Sequence, residues 1–157
     1  MEIRQAGLDD VREMQRLINS YAEEGRMLAR SLGELYENVR DHFVAVEDGR
    51  VVGCAALAIV WDDLAEVKSL AVDRDLSGRG VGSRLVEACI AEARSMGVER
   101  IFVLTYVPQF FRRFGFAEVD RNQLPHKIWA ECIKCPKFPE CGEVPMVAEI
   151  GPRRAEK

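Results

Sequence analysis

The stretch Glu66–Arg94, EVKSLAVDRDLSGRGVGSRLVEACIAEAR, constrains the fold more than any other part of the chain. Its opening reads as a strand: Val67, Leu70, Ala71 and Val72 form a short apolar run ended by the polar Asp73-Arg74-Asp75. Its close reads as a helix, because Val81, Leu85, Cys89, Ala93 and Met96 recur at helical spacing and Gly97 is a natural stop. Between the two lies Ser77-Gly78-Arg79-Gly80-Val81-Gly82.

Glycines at alternate positions, opening directly into a helix, let the backbone approach a ligand without Cβ atoms in the way. The first amides of a helix have no acceptor inside it, and the helix dipole adds partial positive charge there. Such a mouth suits a phosphate or pyrophosphate, and a plain glycine-rich turn is the competing reading. A Walker loop is excluded, since Gly82 is followed by Ser83-Arg84 where Lys-Ser/Thr is required. A dinucleotide fingerprint fits poorly, because Glu99 precedes the next strand and the loop lies mid-chain.

A chain of 157 residues is expected to be one domain, 1–157, with a core of its own. The net charge of −4, without a basic cluster, argues against a nucleic-acid partner. No run is long and apolar enough to span a membrane, and no leader pattern opens the chain, so a soluble, cytoplasmic protein is expected. Five cysteines are an odd number, and Cys54 and Cys89 fall in apolar segments, as free thiols of a reducing compartment do.

In chain order, Met1–Gln5 alternates weakly as a first strand, and Leu8–Ala22 is an amphipathic helix ended by Gly25. Ser31-Leu-Gly-Glu34 is a capping box that starts a second helix through about Asp41. Phe43–Glu47, Asp48-Gly49 and Val51–Trp61 predict a β-hairpin. After the glycine loop and its helix, Arg100–Thr105 is a strand, Gln109–Phe114 a short helix behind Pro108, and Phe116–Val119 another strand. Residues 121–142 read as a Cys/Pro-containing insertion with a short helix into Cys132, followed by a last strand, Glu143–Ile150. This order predicts an α+β (mixed α/β) fold with a central mixed sheet and helices on both faces.

The chain resembles the GNAT acyl-CoA N-acyltransferase superfamily: LAVDRDLSGRGVGSRLVEA matches its pyrophosphate motif and FFRRFGF its C-terminal motif. More closely, LINSYAEEGRMLARSLGELYENVRDHFVAVEDGRVVGCAAL, AEVKSLAV and IFVLT are similar to the amino-acid N-acetyltransferases that make N-acetylglutamate for arginine biosynthesis. The resemblance implies a GNAT-like, mostly antiparallel sheet splayed at the acyl-CoA strand, with acetyl-CoA as co-substrate and a small amino acid as acceptor. Homodimer formation stays open.

The resemblance also implies roles. Glu66 matches the catalytic glutamate and is the candidate base; period 2 places it on one strand face with Lys68 and Leu70. Backbone of Leu70, Ala71 and Val72 would hold the acyl-pantetheine arm, and Ser77, Gly78, Arg79, Gly80, Val81, Gly82 and Ser83 the pyrophosphate. The superfamily often has Arg or Gln where Ser77 stands. Its usual thiolate acid, a Tyr four residues before Gly-Phe, is here Phe111, grouped with the cofactor residues. Tyr106 or the hydroxyl of Thr105 is left to protonate the sulfur, or solvent is. Arg30 resembles the acceptor-binding arginine, and a guanidinium suits a carboxylate. Lys127, Lys134 or Lys137 would hold the second one, beside Lys68.

His126, Cys132, Cys135 and Cys141 form a conceivable zinc set, but one C-x2-C without a second pair is not a common zinc module, so zinc is not favoured. Two other functions compete: the same transfer to a protein N-terminus, lysine or polyamine, and a non-catalytic acyl-CoA-binding module or Cys-cluster metal or redox sensor.

Overall fold

The computed structural model describes residues 1–76, 78–124 and 143–151. The strands are β1 (Glu2–Gln5), β2 (His42–Glu47), β3 (Arg50–Trp61), β4 (Leu64–Val72), β5 (Arg100–Thr105), β6 (Ala117–Glu118) and β7 (Val144–Glu149). The helices are α1 (Val11–Ala22), α2 (Leu32–Glu37), α3 (Val81–Met96) and α4 (Pro108–Arg112). One seven-stranded sheet has the order β1-β2-β3-β4-β5-β7-β6. All neighbours are antiparallel except β4 and β5, which the crossover through α3 makes parallel.

Alternation along the strands sends neighbouring residues to opposite faces. Ala45, Ala55, Leu57, Val67, Ile101 and Met146 pack with Leu85, Val86 and Cys89 of α3. Val44, Cys54 and Ala71 pack with Val11, Met14 and Ile18 of α1 and Leu35 of α2. The expected layers, a mixed sheet with helices on both faces, are therefore present. Gly53 brings α3 close to the sheet, for a Cβ there would stand 3.0 Å from both Leu85 Cδ1 and Val81 Cγ1.

Two helices start or stop short of the sequence expectation. Leu8–Asp10 is a 3-10 turn because the Asp10 carboxylate is drawn back, accepting from Gly7 N–H at 2.7 Å and pairing with Arg4 at 2.8 Å. The second helix ends at Glu37, where Asn38 folds its amide back onto the Glu34 carbonyl at 2.8 Å, and a 3-10 turn covers Val39–Asp41. The capping box on Ser31 and Glu34 is formed as expected.

The sheet opens between β4 and β5. Their ladder has rungs at Leu64↔Arg100, Ala65↔Ile101 and Glu66↔Phe102 and stops there, although both strands continue. β5 keeps its other edge paired to β7 through Thr105. On β4 the divergence coincides with a bulge: Ala56 pairs Lys68, but Cys54 pairs Ala71, so β4 carries one residue more than β3. Ser69 takes up the extra length with φ 56°, a left-handed conformation uncommon for a non-glycine residue.

Candidate active site

The bulge corrects one expectation. Ala65 and Val67 face α3, so Glu66 and Lys68 face α1, as simple alternation requires. Past Ser69 the alternation is reversed: Leu70 and Val72 pack on the α3 side, and Ala71 lies in the α1 cluster. Leu70 therefore does not share a face with Glu66 and Lys68, because the additional residue rotates the chain by half a period. The splay, the bulge and Glu66 on the last shared rung lie together in one wedge.

At the C-terminal end of β4, Leu76 donates its N–H to Asp73 and Arg79 to Leu76, winding the chain towards α3. Gly78 and Gly80 have φ 83° and 81°, a region where a side chain is strained, and no atom lies within 4 Å of where either Cβ would sit. The first backbone bond of α3 runs from Arg84 N–H to Gly80 at 3.1 Å, and no side chain caps the turn. The amides of Val81, Gly82 and Ser83 thus have no acceptor within the helix, and they open into this space. The residues present fit a diphosphate: bare backbone donors, a helix of 16 residues behind them, and room where side chains would be.

Guanidinium groups surround the mouth. Arg79 is exposed beside it. Arg113 donates to Ser83 Oγ at 3.2 Å and lies over the rings of Phe110 and Phe114 at 5.0 and 5.8 Å. Its neighbour Arg112 is instead paired with Glu118 at 3.1 Å. The sequence showed only an Arg112-Arg113 pair; tertiary packing separates the two. Phe110 is the ring that reaches the glycine helix, since a Cβ on Gly82 would meet its Cζ at 3.4 Å. Phe111 is buried in the core on the α3 side, edge-on to Phe110 and Phe116.

Thr105 ends β5 buried, its Oγ1 accepting from Val107 N–H at 2.9 Å, which leaves the hydroxyl proton to donate. Tyr106 follows, half-buried. Cys54 donates to the Ser69 carbonyl at the bulge, at 3.6 Å, and burial pushes both Cys54 and Cys89 up to about 12. Neither is a thiolate nucleophile at neutral pH.

The α1 face carries the second half of the site. Arg30 lies in the connection from α1 to α2, its N–H donating to Asn19 Oδ1 at 3.1 Å and its carbonyl accepting from Gln15 Nε2 at 3.2 Å. Its side chain, 14% exposed, meets Glu34 at 3.5 Å. Arg30 and Lys68 both bear on one further group, the imidazole of His42. His42 was missed in the sequence; a polar residue heading an apolar strand was its only signal. Ser77, His126, Lys127, Cys132, Lys134, Cys135, Lys137 and Cys141 lie outside the described residues. Among the described residues no group of His, Cys, Asp and Glu is gathered for a metal, and no helix is long and apolar enough to cross a membrane.

The opened strand pair and the glycine-rich helix mouth both lie within a stretch that family comparison matches. Residues 8–116 fit the model of the acetyltransferase (GNAT) family. The chain belongs to that family. It is an acetyl-CoA-dependent N-acetyltransferase. An uncharacterized N-acetyltransferase of Chlorobaculum tepidum is 42% identical over 94% of this chain and 96% of its own. An amino-acid acetyltransferase of Mycobacterium tuberculosis is 36% identical over 84% of this chain and 77% of its own. Among solved structures, N-acetylglutamate synthase from Neisseria gonorrhoeae, complexed with coenzyme A and N-acetyl-glutamate, superposes with a TM-score of 0.87 and 27% identity. That match covers 96% of this chain and 35% of the synthase chain.

Proposed function

We infer that this acetyltransferase acts on the α-amino group of an amino acid, and that L-glutamate is the acceptor. What carries the reading is the placement of Glu66 and Lys68, two rungs apart on the α1 face of β4, with Arg30 in the connection between α1 and α2. Two cations beside one carboxylate suit an acceptor with two carboxylates and one amine. The names of the mycobacterial and neisserial relatives support the same class. Such an activity would serve the first step of arginine biosynthesis.

Glu66 takes a proton from the α-ammonium, directly or through water, and leaves a neutral amine. The amine's lone pair attacks the thioester carbonyl carbon, which a backbone amide of β4 between Lys68 and Ala71 polarises. A C–N bond forms, the now cationic nitrogen gives its second proton to solvent, and the C–S bond breaks with its electron pair passing to sulfur. The departing thiolate takes a proton from solvent or from the hydroxyl of Thr105 or Tyr106. Phe111 supplies none, being an apolar ring.

Thiol release measured against a panel of amino acids, a peptide N-terminus, lysine and a polyamine tests the assignment. Glutamate should give the highest kcat/KM. If aspartate, leucine or a peptide exceeded it, the acceptor assignment would fail and the acetyltransferase class would stand.

A further inference from the structure

His42, Ala56 and Lys68 form one row across three strands, each the in-register partner of the next. All three face α1, because Phe43, Ala45, Ala55, Leu57 and Val67 beside them pack towards α3. Strand spacing sets the outer two Cα atoms about 10 Å apart. Only the methyl of Ala56 stands between them in the row, on the face both share. His42 is only 4% exposed. Its Nδ1 lies 2.9 Å from the Asn38 carbonyl, which can only accept, so Nδ1 carries the proton. Nε2 is then a bare lone pair, and among the described residues it has no partner.

The charged groups facing this ring are Asp41 beside it in the chain, Lys68 on β4 and Arg30 from the α1–α2 connection. Burial, the largest influence, disfavours the charged ring, and the two cations add to that against the Asn38 carbonyl and Asp41. The imidazole is therefore neutral at neutral pH. In a ring this little exposed, a lone pair without a protein partner is open to a donor from a bound molecule. The carboxylates of the acceptor cannot provide one, and its amine can.

We propose that His42 positions the acceptor amine: Nε2 receives a hydrogen bond from one N–H, while Glu66, two rungs along β4 on the same face, takes the proton from another. Held at two N–H groups, the nitrogen lone pair is aimed at the thioester instead of turning freely. The inference rests on the amine-acceptor reading above and adds a residue to it.

Three variants test this. His42→Gln keeps an acceptor near the Nε2 position, His42→Phe keeps the ring without a lone pair, and His42→Ala removes both. KM for the acceptor, kcat, acetyl-CoA affinity by calorimetry and thermal melting are measured for each. The expected result is an acceptor KM raised about tenfold in the Phe and Ala variants, with acetyl-CoA affinity unchanged and the Gln variant within about threefold of the parent. Unaltered acceptor KM in the Phe variant overturns the proposal, and so does a Gln variant as impaired as Phe. If the parent protein prefers an amine that is not an amino acid, the amino-acid reading fails, and His42 is judged on that amine's KM. If it acetylates no amine, both fail.

Discussion

The Tyr21 hydroxyl donates to the Val72 carbonyl at 2.7 Å, tying the last turn of α1 to the end of β4 where the glycine loop begins. The Arg74 guanidinium lies 4.5 Å from the centre of the same ring and pairs with Glu24 at 2.6 Å. The connection that carries Arg30 is thereby fastened at its start to the connection that leads to the diphosphate mouth. Tyr21→Phe should cost about 1 kcal/mol in urea unfolding, the worth of one hydrogen bond. It should also raise the acetyl-CoA Kd. An unchanged Kd would show that the two loops are independent.

Gly80→Ala and Gly82→Ala should act by different routes. At Gly80 the positive φ makes any side chain cost about 1–2 kcal/mol, so melting temperature and acetyl-CoA affinity should fall together. At Gly82 a Cβ meets Phe110 at 3.4 Å and Val72 at 3.8 Å, ordinary contacts, so stability should hold while affinity falls. Calorimetry paired with thermal melts separates the two.

Removing Arg113 should raise KM for acetyl-CoA roughly tenfold at low salt, through loss of a charge at the mouth, with a smaller effect as salt rises. Arg112→Ala removes only an exposed pair with Glu118 and should leave KM within about twofold. Equal effects in both variants would count against the placement of Arg113.

Glu66→Gln should lower kcat about 100-fold or more near neutral pH, as expected on losing a positioned base. A high-pH recovery is expected, since free amine is then supplied by bulk deprotonation. Undiminished turnover across pH would remove Glu66 from the mechanism.

Stability should decline in two steps on acidification. His42 lies below its ordinary 6.5 in the folded state, chiefly because burial disfavours the charge. Its contribution is whole above pH 6.5 and is lost as pH falls below that towards the folded value. The Asp10 carboxyl lies below its ordinary 3.8, held there first by the Arg4 hydrogen bond. Its contribution disappears only as pH falls below 3.8. Urea unfolding across pH should lose the upper step in His42→Gln and the lower one in Asp10→Asn.

Much of this was legible in local sequence. The alternate glycines, the period of α3, the Ser31 capping box and the Asp48-Gly49 turn each specify backbone within a few residues, and all of them form. The Glu66 strand and the family also follow from contiguous residues. The faces beyond Ser69 did not, because a bulge depends on how β3 pairs with β4, and an unpaired strand gives no sign of its register. Likewise, nothing in FFRRFGF says which arginine turns to Ser83 and which to Glu118.

The chain's own order of residues determined the glycine mouth of α3, because helix ends and glycine turns are built from neighbours in sequence. Only the folded sheet decided what stands opposite it. His42 and Lys68 are 26 residues apart and meet solely because β3 lies between them with an alanine in the shared row. Cross-strand registry, not local propensity, brings these two side chains onto one row.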